Sequence, residues 1–196
     1  KLKVLVIGET IIDQYVFCEA LGKSGKEPVL VLRDLDTQEY LGGALAISRH
    51  LSDFCHTVSV LSFLGEKNEY KSFIEDNIED NINLNFLSKS NSPTIVKRRF
   101  VDNIDRKKIL GVYSINDNAL LKSEEDEFIE AFDSHIKEHD LVIVSDYGHG
   151  IITPKIAKHI SKINKFVSLN AQVNAANIGT HNIRKYNDIN CLIINA

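Results

Sequence analysis

The stretch Lys1–Asp13, KLKVLVIGETIID, decides how the rest of the chain is read. Leu2 and Val4 to Ile7 form an apolar run rich in β-branched residues and stopped by Gly8. A run that is apolar on both faces is what a strand inside a parallel sheet requires. It delivers a glycine turn, and then the carboxylate of Asp13, to the carboxyl end of a sheet, where open α/β proteins bind their ligands. The expectation from this stretch is a mononucleotide or sugar site.

Outward from it the same rhythm recurs. Tyr40-Leu41-Gly42-Gly43-Ala44 runs into a helix to about Phe54, with Leu45, Ser48, Leu51 and Cys55 at helical spacing. The small residues Gly42 and Gly43 let a ligand approach the backbone, and the amides of the first helical turn can face it as donors. Thr57 to Leu64 is expected as a strand, Glu69 to Ile78 as an amphipathic helix and Asn83 to Leu87 as a short strand. Further on come a helix over Glu124 to Ile136, with acids suited to its first turn, and a strand over Asp140 to Val144. A helix capped by Thr153-Pro154 follows, then strands over Phe166 to Leu169 and Cys191 to Ile194. Strand and helix alternating in this way predict an α/β fold.

Two segments break the rhythm. Residues 14–36 hold two short β-like runs around the Gly/Ser/Lys-rich Gly22 to Lys26, too short for a βαβ crossover. GKSGK lacks the G-x-x-x-x-G-K-[ST] spacing of a phosphate loop and reads as a solvated turn. Residues 93–113 read as an antiparallel hairpin turning at Asn103 to Asp105. Together they are expected to build a small second sheet. On its first strand Lys97 and Arg99 share one face, placed either to meet an anion such as a sugar phosphate or to serve as a solvated basic edge.

Composition narrows the function classes. With 43 % apolar and 26 % charged residues the 196-residue chain is of ordinary globular make-up, and the net charge of −4 offers no electrostatic footprint for nucleic acid. No apolar run reaches the roughly 20 residues that span a bilayer and no signal-peptide pattern opens the chain, so a cytoplasmic location is expected. Three widely spaced cysteines, Cys18, Cys55 and Cys191, argue against a disulfide framework or a zinc knuckle. The absence of Met points to a trimmed or fragmentary chain, or to methionines left out of the sequence.

Candidate chemistry gathers at strand ends: Asp13, Asp146, Asn170 and Asn195 each follow an apolar strand. The seven histidines show no metal-ligand spacing, and His149, between two glycines in the Asp146 loop, is the one worth testing. Neither a G-x-S-x-G elbow nor a G-x-G-x-x-G dinucleotide fingerprint is present, which weakens hydrolase and nicotinamide or flavin readings.

Several motifs in order resemble the ribokinase-like, PfkB-type carbohydrate kinases, and within them the heptose-phosphate kinase branch. VLVIGETIIDQYVF is similar to the opening V-x-G-[DE]-x-x-x-D-x-[YF], whose Asp falls on Asp13. Lys26-Glu27-Pro28-Val29 resembles the lid strand, and Gly42-Gly43-Ala44 the glycine pair before the first long helix. Pro93 to Arg99 resembles P-T-x-x-K-x-R, Ser145 to Gly150 resembles S-D-Y-x-x-G, and Asn195 falls where N-x-x-E begins. The resemblance implies a three-layer α/β/α core with a small β lid, incomplete over residues 1–196 and lacking the later ATP-binding part.

The same resemblance implies a sugar or sugar phosphate held by Asp13, Gly42, Gly43, Lys97, Arg99 and Asp146, with Asn170 and Asn195 on the ATP and Mg side. The catalytic Asp is expected beyond Ala196, and lids of this kind can pair two subunits into a homodimer. Two positions depart from the pattern: Ala46 stands where the family carries Asn, and Asn170-Ala171-Gln172 where the branch carries Asp-Pro-Lys. The leading expectation is the sugar-binding N-terminal part of an ATP-dependent carbohydrate kinase. The alternative is a non-catalytic sugar-phosphate-binding or regulatory module of the same fold.

Overall fold

The computed structural model describes residues 2–173, 177 and 181–194. Strand β1 (Lys3–Gly8) is followed by two 14-residue strands, β2 (Thr10–Lys23) and β3 (Leu30–Gly43), and by helix α1 (Ala44–Ser52). Then come β4 (Thr57–Gly65), α2 (Lys71–Asp76), β5 (Ile82–Lys89), β6 (Ile95–Asp102) and β7 (Lys108–Ser114). The described chain continues through α3 (Lys122–His135), β8 (Leu141–Asp146), α4 (Pro154–Ile160), β9 (Phe166–Ala171) and β10 (Cys191–Ile194).

Six of these strands form one parallel sheet in the order β10-β9-β8-β1-β4-β5, with β1 near its middle. Period-two alternation sends Leu5 and Ile7 to a core shared with α3 and α4, and Val4 and Val6 to a second core under α1 and α2. Both faces being covered explains why β1 reads as continuous apolar sequence. In the first core Phe128 is fully buried and stacks on Phe63, ring centroids 5.8 Å apart. Phe128→Ala is expected to cost about 3–5 kcal/mol, read from urea unfolding midpoints; a loss below about 1 kcal/mol would mean that the cavity collapses.

The helix starts follow local chemistry. Thr153 Oγ1 accepts the amide of Ile156 ahead of Pro154, and Glu124 accepts the amides of Leu121 and Ser90 at 2.7 Å each. The helix expected over residues 69–78 is only Lys71–Asp76. Tyr70 takes a left-handed φ of 67°, because residues 65–70 are tied to the base of the second hairpin. Thr94 Oγ1 donates to the Glu69 carbonyl (2.9 Å) and the Gly65 amide donates to Thr94 Oγ1 (2.9 Å).

The second sheet, order β3-β2-β6-β7, stands over the carboxyl end of the first. Its hairpins β2–β3 and β6–β7 are antiparallel, and they join through a parallel β2–β6 ladder. The first hairpin is longer than the expected segment 14–36, starting at Thr10 and returning to Gly43. Its return strand is foreshadowed by the apolar run Val29 to Leu32, but beyond Leu32 most of β3 is exposed and carries no hydrophobic alternation, so pairing with β2 reveals the rest.

Candidate functional site

At the end of β1 the chain leaves the large sheet through Gly8, whose φ of +140° and 2.0 Å spacing from an added Cβ to the Ser145 carbonyl exclude a side chain. Glu9 follows, and β2 then carries Asp13 into the lid. In the parallel β2–β6 ladder Asp13 lies beside Lys97 and Tyr15 beside Arg99, while β7 brings Tyr113 opposite Lys97. These strands, the Gly42–Gly43 turn and the loop after β8 enclose a cleft of about 270 Å³. Its lining is Ile11, Asp13, Gly43, Lys97, Arg99, Tyr113, Tyr147 and Gln172.

Four of the residues expected from sequence, Asp13, Gly43, Lys97 and Arg99, thus come together. Gly42 lies behind them, and a Cβ there would meet Asp13 Oδ2 at 2.4 Å, so the glycine leaves room for the carboxylate. Arg99 Nη1 donates to Asp13 Oδ1 (2.5 Å) and to the Lys97 carbonyl (3.3 Å), with its guanidinium over the Tyr15 ring. Burial works against its charge, yet the Asp13 carboxylate beside it holds the guanidinium above its ordinary value. Arg99 therefore orients Asp13.

Lys97 differs from Arg99. Only 6 % exposed, it lies with its ammonium 5.3 Å from the Tyr147 ring centroid and 5.9 Å from that of Tyr113. Among the described residues no carboxylate forms an ion pair with it. Burial pushes the ammonium below its ordinary value, against the more distant negative charges of Asp13 and Glu9. Lys97 is thus a buried cation faced by aromatic rings, and the carboxylate beside it, Asp13, is bound to Arg99 and can also accept hydroxyl hydrogens.

Asp146 does not line the cleft. It is fully buried, with Oδ1 accepting from the Gly148 amide (3.0 Å) and Oδ2 from the Tyr186 hydroxyl (2.6 Å) and Lys185 Nζ (2.7 Å). Burial and the neighbouring Asp146 charge push the Tyr186 phenol well up. His149 is likewise buried, and its Nδ1 is 2.7 Å from Asp117 Oδ1. Burial, and then Lys97, hold that imidazole below its ordinary range. Asn170 sits half-buried at the tip of β9, whereas Gln172 two residues later reaches the cleft. Asn195 lies outside the described residues. Among the described residues no group of three or more His, Cys, Asp or Glu could hold a metal ion.

Sequence reasoning missed Glu9, Tyr113, Tyr147 and Gln172. One of them had a signal: Glu9 occupies the acidic position of the opening motif. A turn centred on residues 103–105 would set Gly111 against Lys97, and the ladder, with its register shift between Phe100 and Val101, brings Tyr113 there instead. Tyr147 and Gln172 follow different strands, and only the fold brings them together.

A parallel sheet with helices on both faces, a β lid at its carboxyl end and a polar cleft between them define a sugar-kinase architecture, and the pfkB family of carbohydrate kinases matches residues 1–170. The chain belongs to that family, as its motifs implied. Among curated relatives it is 31 % identical over 169 residues to the bifunctional protein HldE of Campylobacter jejuni strain RM1221, covering 86 % of this chain and 35 % of that protein. The HldE of Nitratiruptor sp. is 28 % identical over 160 residues, 82 % of this chain and 34 % of that one. The chain thus spans about a third of the length of these relatives.

Among solved structures, ribokinase from Thermotoga maritima aligns with a TM-score of 0.65 at 17 % identity, over 99 % of this chain and 59 % of that one. Phosphofructokinase-2 from Escherichia coli, in complex with fructose-6-phosphate, aligns with a TM-score of 0.63 at 12 % identity, over 89 % and 56 %. These likenesses establish the ribokinase-like α/β fold expected from the sequence. No helix among the described residues is long and apolar enough to cross a membrane.

Proposed function

We propose that this chain is the sugar-binding part of an ATP-dependent carbohydrate kinase, which moves the ATP γ-phosphoryl to a hydroxyl of a sugar that already carries an anionic group. The observation that carries this reading is the cleft itself. It sets Lys97, a buried cation without an ion-pair partner among the described residues, beside the hydroxyl acceptor Asp13. Asp13 and the Gly43 backbone hold the sugar hydroxyls, Gly42 leaves room for the Asp13 carboxylate, and Lys97 holds the phosphate. Arg99 keeps Asp13 aimed. The lid excludes water from the site of transfer, which protects ATP from hydrolysis. ATP and Mg, with the base that takes the hydroxyl proton, belong to the part of the kinase outside these residues. Phosphofructokinase-2, solved with a sugar phosphate, supports this substrate class.

A cytoplasmic homodimer completes the reading. Leu21, Leu30 and Leu35 of the lid remain about half exposed, as a surface shared between two lids would require. The test is ATP-dependent ADP release by the full-length protein across sugars and sugar phosphates, with light scattering of the same preparation for the dimer. Turnover restricted to phosphorylated sugars is the expected result, and no turnover on any of them would sink the reading.

One observation favours the second reading, a non-catalytic sugar-phosphate-binding or regulatory module. Gln172 puts a neutral amide in the cleft where the branch's motif carries Lys. Binding without ADP release would select that reading.

A further inference from the structure

Glu9 is fully buried and is not among the residues lining the cleft. Its two carboxyl oxygens accept different backbone amides of the loop after β8: Oε2 that of Tyr147 (2.8 Å) and Oε1 that of His149 (3.1 Å). Its backbone carbonyl accepts the Ala44 amide (2.8 Å), the first of α1, directly after the Gly43 wall. The fit there is close, since a Cβ on Gly43 would sit 2.2 Å from the Glu9 carbonyl oxygen. One residue therefore fastens both the glycine wall and the Tyr147 wall.

We propose that Glu9 is the positioning residue of this cleft: its carboxylate holds Tyr147 in place over Lys97, and proton uptake by that carboxylate loosens the wall and weakens anion binding. A carboxylate offers both oxygens as acceptors, whereas a carboxylic acid must donate from one of them. After protonation one of the two amides faces a hydroxyl oxygen, a weaker acceptor whose proton needs a partner of its own, and a buried donor left unpaired is costly.

The surroundings place this change near neutrality. Burial first, and then the charge of Asp146, push the Glu9 carboxyl up to about 7, against the two amides and Lys185. The other groups facing it are Lys89 on β5, Lys97 on β6, Tyr147 and the Tyr186 phenol. Burial holds the His149 and His181 imidazoles below their ordinary range, and following the Glu9 carboxyl carbon itself separates its titration from theirs.

The test follows the Glu9 carboxyl carbon and the Tyr147, His149 and Gly43 amides by NMR from pH 4 to 9 in the protein as it exists. Sulfate serves as the anion probe because its charge does not change over this range. The expected result is one midpoint near pH 7 shared by the carboxyl and the amides. Between pH 8 and pH 6 the anionic fraction then falls about tenfold, and sulfate affinity falls with it. In Glu9→Gln the amide titrations vanish and sulfate affinity is flat, at the low-pH value of the wild type. A Glu9 midpoint near 4.5, amides that ignore the carboxyl, or a Glu9→Gln variant that keeps the tenfold pH dependence would each overturn the proposal.

The wild-type titration needs no variant, so misfolding of Glu9→Gln cannot mask the answer. The sulfate consequence rests on the anion-binding reading of Lys97. Should sulfate fail to bind at every pH, that reading falls alone, and the carboxyl and amide titrations still decide on Glu9.

Discussion

Lys97→Met is expected to lower the affinity of the cleft for a phosphorylated sugar by about 10- to 100-fold, equivalent to the roughly 1.5–3 kcal/mol of a charge-assisted hydrogen bond. Affinity for the same sugar without its phosphate is expected to stay within a factor of about three. The argument is electrostatic. Lys97 is 6 % exposed, its ammonium has two tyrosine rings for neighbours, and the nearby Asp13 carboxylate is bound to Arg99. The ammonium charge is therefore costly in the empty cleft and useful only when an anion arrives.

Methionine keeps the length and apolar stem while removing the charge, so the thermal midpoint of Lys97→Met is expected to hold steady or rise. A structural lysine would show the opposite pattern, with the midpoint falling and the ratio of the two affinities unchanged. Calorimetric titration with a sugar and its phosphate, beside a thermal melt, separates the two cases.

Gly43→Ala carries the other large effect. Gly43 has φ +59° and ψ −133°, a combination that residues with a Cβ rarely adopt. The added Cβ would lie 2.2 Å from the Glu9 carbonyl oxygen and 3.1 Å from Ile11 Cγ1. That carbonyl cannot withdraw without giving up the Ala44 amide. Strain and overpacking together are expected to cost about 2–5 kcal/mol, a fall in melting temperature of about 5–15 °C, and the anion site should be lost with the displaced wall. Gly25→Ala is the control: nothing lies within 4 Å of a Cβ there, and its melting temperature should be unchanged. Equal behaviour of the two variants would show that the turn relaxes freely.

Much of this arrangement could be read in advance, for identifiable reasons. Strands β1, β4 and β8 are buried on both faces, so their sequence is mainly apolar and bounded by Gly or Asp. Thr153-Pro154 marks a helix start because capping is local chemistry. Asp13, Gly43, Lys97 and Arg99 were legible because each sits in a motif or on an alternating strand. The role of Arg99 was not, since a spacing shows which face a side chain takes but not that Asp13 occupies its guanidinium. Asp146 follows a strand as a binding residue would, yet Tyr186 and Lys185, some 40 residues later, turn it inward.

The sequence by itself determined the α/β class, the central strand, the family and the cation–carboxylate content of the lid. Each of these depends on local periodicity, capping and short motifs, which a few neighbouring residues specify. Tertiary structure decided the length of the first hairpin, the closing of Tyr113, Tyr147 and Gln172 around Lys97, and the position of Glu9 as the residue that fastens two walls. Those features arise between segments about 35 to 140 residues apart, as the Glu9 bonds to Ala44, Tyr147 and His149 show. Packing and burial set them, and no single stretch of sequence contains the partners that give Glu9 its charge-sensitive role.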